Sequence, residues 1–210
     1  MPAVNLAFNT RNNLRDVFGS HVPNFNTALQ GGVLNIHPDN VVGNNWRFNA
    51  ITNQYLAIPN NHSIQFTLAP QSNLRYLPWQ PDTCTGMELD NAASVFVTGP
   101  LNGCSFMMAR DPNSNNPVIL HANSNQHPGQ VAARNTAQLT NATQYLNIFH
   151  NNAQVSFETQ YERDMRNHQG WIIGTDVHGD QSTWQIYCVT DEHVGGFRPN
   201  YFNDLGVCQL

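Results

Sequence analysis

Cys104-Ser105-Phe106-Met107-Met108-Ala109-Arg110-Asp111-Pro112-Asn113-Ser114-Asn115-Asn116-Pro117-Val118-Ile119-Leu120-His121 is the stretch on which the fold turns. Its ends are short and apolar, and its middle is a run of turn formers. Cys104 to Ala109 therefore reads as one strand, Asp111 to Pro117 as a polar hairpin loop, and Val118 to His121 as the returning strand. An antiparallel pair of this kind sets its two ends side by side. Cys104 and His121, seventeen residues apart, then meet at the same end of the hairpin.

Immediately upstream, Val97-Thr98-Gly99-Pro100-Leu101-Asn102-Gly103 reads as a Gly- and Pro-rich turn that delivers the thiol to the start of its strand. Such a turn leaves backbone N–H groups pointing outward, as an oxyanion hole requires. The glycine before the thiol removes a side chain that would block a substrate. Asn102 and Gly103 are thus the expected oxyanion-binding positions. Cys104 is the expected nucleophile, and His121 the base that takes its proton. Each also has a structural reading: a lone cysteine at a strand start is commonly a small buried hydrophobe, and a lone histidine at a strand end a surface or turn residue.

The rest of the chain mixes short strand-like and helix-like pieces. Asn12 to Phe18 and Phe25 to Gln30 read as short helices separated by Ser20-His21-Val22-Pro23. Val33 to His37, Trp46 to Ile51, Ile64 to Leu68 and Leu74 to Trp79 read as strands, with Ile64, Phe66 and Leu68 on one face. Thr85, followed three positions later by Glu88, has the form of a capping box and predicts a helix from Glu88 toward Val97. Ala132 to Phe149 reads as a helix with Leu139, Tyr145, Leu146 and Phe149 near one face. Ser156 to Arg166 reads as another, supported by Glu162 four residues ahead of Arg166. Trp171 to Thr175 and Thr183 to Val189 close the chain as strands. No repeat or linker divides the 210 residues, so residues 1–210 are expected to form a single α/β domain with a mixed or antiparallel sheet.

Composition narrows the partners. Nine basic residues against fourteen acidic ones leave a net charge of −5, which disfavours a phosphate-backbone binder. No run of about 18 apolar residues is present, so no membrane span is expected. The N-terminus shows neither the charged nor the apolar region of a Sec-type signal. All nine basic residues are arginine, while 30 Asn and 15 Gln supply the polar surface. Lysine is the attachment point for ubiquitin, so its absence suits a protein that must persist in a eukaryotic cytosol. Cys84, Cys104, Cys188 and Cys208 form no CxxC pair, and no HExxH occurs, so no metal is expected. Asp176-Val177-His178-Gly179-Asp180 reads as a turn, and the four tryptophans as packing residues.

These residues carry a resemblance. Leu101-Asn102-Gly103-Cys104 followed by His121 resembles the catalytic centre of the Burkholderia lethal factor family of glutamine deamidase toxins, which are related to the catalytic domain of the cytotoxic necrotizing factors. The family motif is L-S-G-C, with Asn102 here in place of serine. Thr98 stands six residues before the cysteine, as a threonine does in the lethal factor. Leu77-Pro78-Trp79, His37-Pro38-x-Asn40 and Trp171-x-x-Gly174-Thr175-Asp176 fall in the same order as in that family.

The resemblance implies an α/β single domain, a sandwich of two mixed β-sheets flanked by helices and loops. It implies hydrolysis of a glutamine carboxamide in a host protein, with Thr98 supplying a backbone carbonyl that orients His121. The lethal factor acts on a DEAD-box helicase of translation initiation, and the necrotizing factors on Rho-family GTPases. The implied protein is a monomer delivered into the host cytosol, with a host protein as partner and no cofactor. A cysteine protease or transglutaminase-type acyl-transfer enzyme uses the same dyad. A non-catalytic, lectin-like binding module would suit the Asn-rich, lysine-free surface.

Overall fold

Phe106 to Ala109 and Val118 to Leu120 offer no polar side to solvent, so a sheet built on them must be covered on both faces. The computed structural model, described for residues 22–23, 37–60, 63–101, 103–124, 130–160, 168–192 and 201–210, meets that demand with a sandwich of two mixed sheets. Its strands are β1 (Val22–Pro23), β2 (Asn40–Val42), β3 (Asn45–Asn49), β4 (Gln54–Asn60), β5 (Ser63–Leu68), β6 (Leu74–Leu77) and β7 (Cys84–Glu88). β8 (Val95–Leu101), β9 (Ser105–Arg110) and β10 (Pro117–Ala122) follow, then the helix α1 (Val131–Phe149). β11 (Val155–Gln160), β12 (His168–Asp176), β13 (Thr183–Glu192) and β14 (Tyr201–Gln209) complete the order.

One sheet runs β1-β5-β4-β6-β8-β12-β13-β14 and the other β11-β9-β10-β7-β3-β2. Neighbours are antiparallel except for the parallel pairs β1 with β5, β6 with β8, and β3 with β7. Between the sheets, Phe106, Met108 and Ile119 meet Phe96, Ile172 and Trp184. The Phe96 ring stacks on Phe106 at 5.4 Å and tilts against Trp184 at 5.3 Å. On its other face the six-stranded sheet buries Met107, Ala109, Val118 and Leu120 under Ala142, Tyr145 and Leu146 of α1. Truncating one of the large inter-sheet side chains to alanine would cost about 3–5 kcal/mol.

Several expectations are corrected. The region from Glu88 to Val97 is not a helix: β7 ends at Glu88 and β8 begins at Val95. Thr85 cannot cap a helix because it is a buried strand residue paired with His121, and its hydroxyl faces the His121 carbonyl at 3.4 Å. Ser156 to Gln160 belongs to a strand, and exposure alternates residue by residue from Val155 to Thr159, the period of an edge strand rather than a helix. Leu139 is not on the buried side of α1, where Gln138, Ala142, Tyr145 and Leu146 lie instead. β4 and β14 were not expected as strands. The helices expected in the first thirty residues, the strand from Val33, and residues 161–166 fall outside the described residues.

Candidate active site

β8 belongs to the eight-stranded sheet and β9 to the six-stranded one, so the three residues between Leu101 and Ser105 carry the chain across the sandwich. Gly103 takes φ +80°, a conformation that a side chain disfavours. Cys104 follows, 3% exposed, and packs with Phe106 and Met108 in the space between the sheets. The expected turn is shorter than its sequence, because Val97 to Leu101 continues β8. Gly99 and Pro100 together oppose the single residue Trp171 in an irregularity of the β8–β12 pairing. A side chain at Gly99 would run into the Trp171 ring.

The pairing of β9 with β10 sets His121 opposite Phe106. Cys104 precedes Phe106 by two residues, and strand alternation puts its side chain on the same face as His121. Thr98 approaches from the opposite sheet, with its Oγ1 2.9 Å from His121 Nδ1 and 2.9 Å from the Leu77 carbonyl. The Leu77 oxygen can only accept, so the one hydroxyl proton of Thr98 goes to it. Thr98 Oγ1 must then accept from Nδ1–H. This fixes the neutral imidazole with its proton on Nδ1 and its lone pair on Nε2. Nε2 is buried and has no hydrogen-bond partner among the described residues. Burial pushes the His121 pKa down to about 3, so the ring is neutral at any ordinary pH. The hydroxyl of Thr98 thus orients the ring, where the resemblance implied a carbonyl.

Behind the thiol, Gln138 of α1 is fully buried. Its Nε2 donates to the Gly103 carbonyl at 2.7 Å, and its Oε1 accepts from the Ser105 hydroxyl at 2.6 Å. Sequence reasoning missed this residue and the Leu77 carbonyl. A signal for Gln138 existed: it shares the helical stripe of Ala142 and Tyr145, where an apolar residue would be expected. Gly103, expected at the oxyanion position, precedes Cys104 with its carbonyl bonded to Gln138; Asn102 lies outside the described residues.

No protein-family model, curated protein or solved structure matches this chain.

The remaining thiols are buried and free, and burial raises their pKa values, Cys188 to about 12 and Cys208 to about 11. Glu88, Asp111 and His150 form a group of metal-ligand type, with donor atoms within 4.8 Å of one another. Asp111 already accepts from the backbone N–H groups of Asn113 and Ser114 and lies 2.8 Å from His150 Nδ1. These bonds tie the β9–β10 loop to the end of α1. A cavity of about 240 Å³ is lined by Asp39, Arg47, Glu88, Asp90 and Asn116 among others, and by none of Thr98, Cys104 or His121. Asp176 accepts from the N–H groups of His178, Gly179 and Gln181, which makes that segment a turn. Among the described residues, no helix is long and apolar enough to cross a membrane.

Proposed function

We propose that this chain is a cysteine-dependent protein-glutamine deamidase, a toxin acting inside a host cell. The observation that carries the reading is the His121 ring, held by Thr98 on one nitrogen and bearing a lone pair without a partner on the other, on the face that also holds Cys104. A buried ring nitrogen without a partner costs about 1–3 kcal/mol. His150 Nε2 is likewise buried without a partner among the described residues, so what sets His121 apart is the Cys104 thiol on the same face of the sheet.

In the proposed reaction, the Cys104 sulfur attacks the carboxamide carbon as its proton passes to His121 Nε2. The tetrahedral oxyanion is met by the backbone N–H of Cys104. His121 returns the proton to nitrogen, the C–N bond breaks, and ammonia leaves a thioester on Cys104. Water attacks the thioester, giving a proton to Nε2 that is passed back to the departing sulfur. The sum is carboxamide plus water to carboxylic acid plus ammonia, with no cofactor.

A recessed thiol favours a side-chain amide over a main-chain one. A glutamine side chain is narrow and unbranched, which suits a residue that is 3% exposed, whereas a scissile peptide needs an open cleft. The substrate class is therefore a host protein with an exposed glutamine, such as the helicase of translation initiation that the resemblance implies. The test is incubation with a eukaryotic lysate and a proteome-wide search for Gln-to-Glu conversion with ammonia release. Cys104→Ser should abolish both. New protein N-termini in place of deamidation would indicate a protease, and identical profiles for wild type and Cys104→Ser would overturn the reading.

A further inference from the structure

Gln138 occupies the apolar interface between α1 and the six-stranded sheet, with Ala142, Tyr145 and Leu146 along the same stripe. Burying a primary amide there is unfavourable unless both its ends are bonded, and both are. Its two partners, the Gly103 carbonyl and the Ser105 hydroxyl, flank Cys104 on either side. The Gly103 carbonyl belongs to the same planar peptide as the Cys104 N–H. In a trans peptide the two point in opposite directions. The carbonyl is drawn toward α1, so the N–H is turned toward the inter-sheet space where the Cys104 and His121 side chains lie. Ser105 faces α1 with Met107 and Ala109, which fixes the other side of the thiol's residue.

We propose that Gln138 is a positioning residue for the acyl-transfer centre: by clamping Gly103 and Ser105 it aims the Cys104 N–H at the oxyanion. The proposal rests on the deamidase reading above. It assigns α1 a part in the chemistry, because the helix delivers the clamp from the side of the sheet opposite the reacting atoms.

The test compares two reagents at Cys104, followed by mass mapping of the modified thiol. p-Nitrophenyl acetate acylates sulfur through a tetrahedral oxyanion; iodoacetamide alkylates it by displacing iodide and forms none. Gln138→Leu should slow acylation by about tenfold or more relative to alkylation, because a misaimed oxyanion donor affects only the first reaction. Gln138→Glu retains a donor for Gly103 only while its carboxyl is protonated, so its acylation rate should recover toward wild type at acid pH. Ser105→Ala removes one of the two bonds, keeps Gln138 and should give an intermediate loss, which serves if Gln138→Leu does not fold. Equal slowing of both reagents, or none, in a wild-type background that reacts would overturn the role of Gln138 and leave the deamidase reading standing. A wild-type Cys104 inert to both reagents would overturn the deamidase reading and this proposal together.

Discussion

Thr98 has one hydroxyl proton, and the Leu77 carbonyl takes it, so the tautomer of His121 is decided by a residue 23 positions away on the other sheet. Thr98→Val keeps the shape and removes the hydroxyl. It leaves the Leu77 oxygen and His121 Nδ1 without this bond, at a cost of about 1–3 kcal/mol in a urea titration. It also frees the ring to carry its proton on Nε2, so acylation at Cys104 should fall by about a hundredfold or more, with Thr98→Ser restoring most of it. His121 also leaves a signature in pH dependence. Its pKa is about 3 folded against 6.5 for an ordinary histidine. Between those values the unfolded chain binds a proton that the folded chain does not. Stability from this source is complete above about pH 6.5 and falls by about 1.4 kcal/mol per unit on acidification. His150, lowered by burial and only partly compensated by Asp111, adds to the slope with the same sign. His121→Gln should flatten the slope measured by urea unfolding between pH 4 and pH 6; an unchanged slope would show that the ring is not held neutral by burial.

Among the elements, the β9–β10 hairpin and its loop do the most to place the centre. Burial works to raise the Asp111 carboxyl, but the N–H groups of Ser114 and Asn113 together with His150 outweigh it and hold the group below the usual carboxylate range. Asp111→Ala leaves two loop N–H groups and a buried imidazole without this acceptor. It should lower stability by about 2–3 kcal/mol, seen as a drop in the urea midpoint with acylation at Cys104 little changed if folded. This hairpin was legible in the sequence because two apolar runs flank a block of turn formers, and the pairing of Cys104's end with His121's end follows from that pattern. β8 was not legible: Thr85 and Glu88 mimic a helix cap, and only the burial of Thr85 against β10 excludes it. The pairing of Phe157 to Gln160 with β9 likewise overrode a local helix signal. The sandwich came from the resemblance, and the clamp by Gln138 came from neither source. A polar residue on an apolar stripe is visible in a sequence, but what it holds depends on how the helix docks.

Over the whole molecule, the chain passes between the two sheets several times, and Thr98, Cys104 and His121 lie near the passage from β8 to β9, on the inter-sheet side. The lysine-free surface belongs to this scale. Asn113 and Asn147 are exposed, in a loop and on α1. Replacing both with lysine should leave stability within about 0.5 kcal/mol, as surface changes usually do, and shorten the lifetime of the chain in eukaryotic cells. An unchanged half-life would remove the link between composition and host cytosol. The central claim is a Cys104 nucleophile, activated by His121, that takes a glutamine side chain. Its most direct test is mass spectrometry of the protein after exposure to a peptide in which a diazoketone replaces the glutamine carboxamide. One adduct per chain on Cys104, absent in Cys104→Ser and slowed in His121→Gln, is the expected result. No adduct, or labelling spread equally over Cys84, Cys104, Cys188 and Cys208, would contradict it.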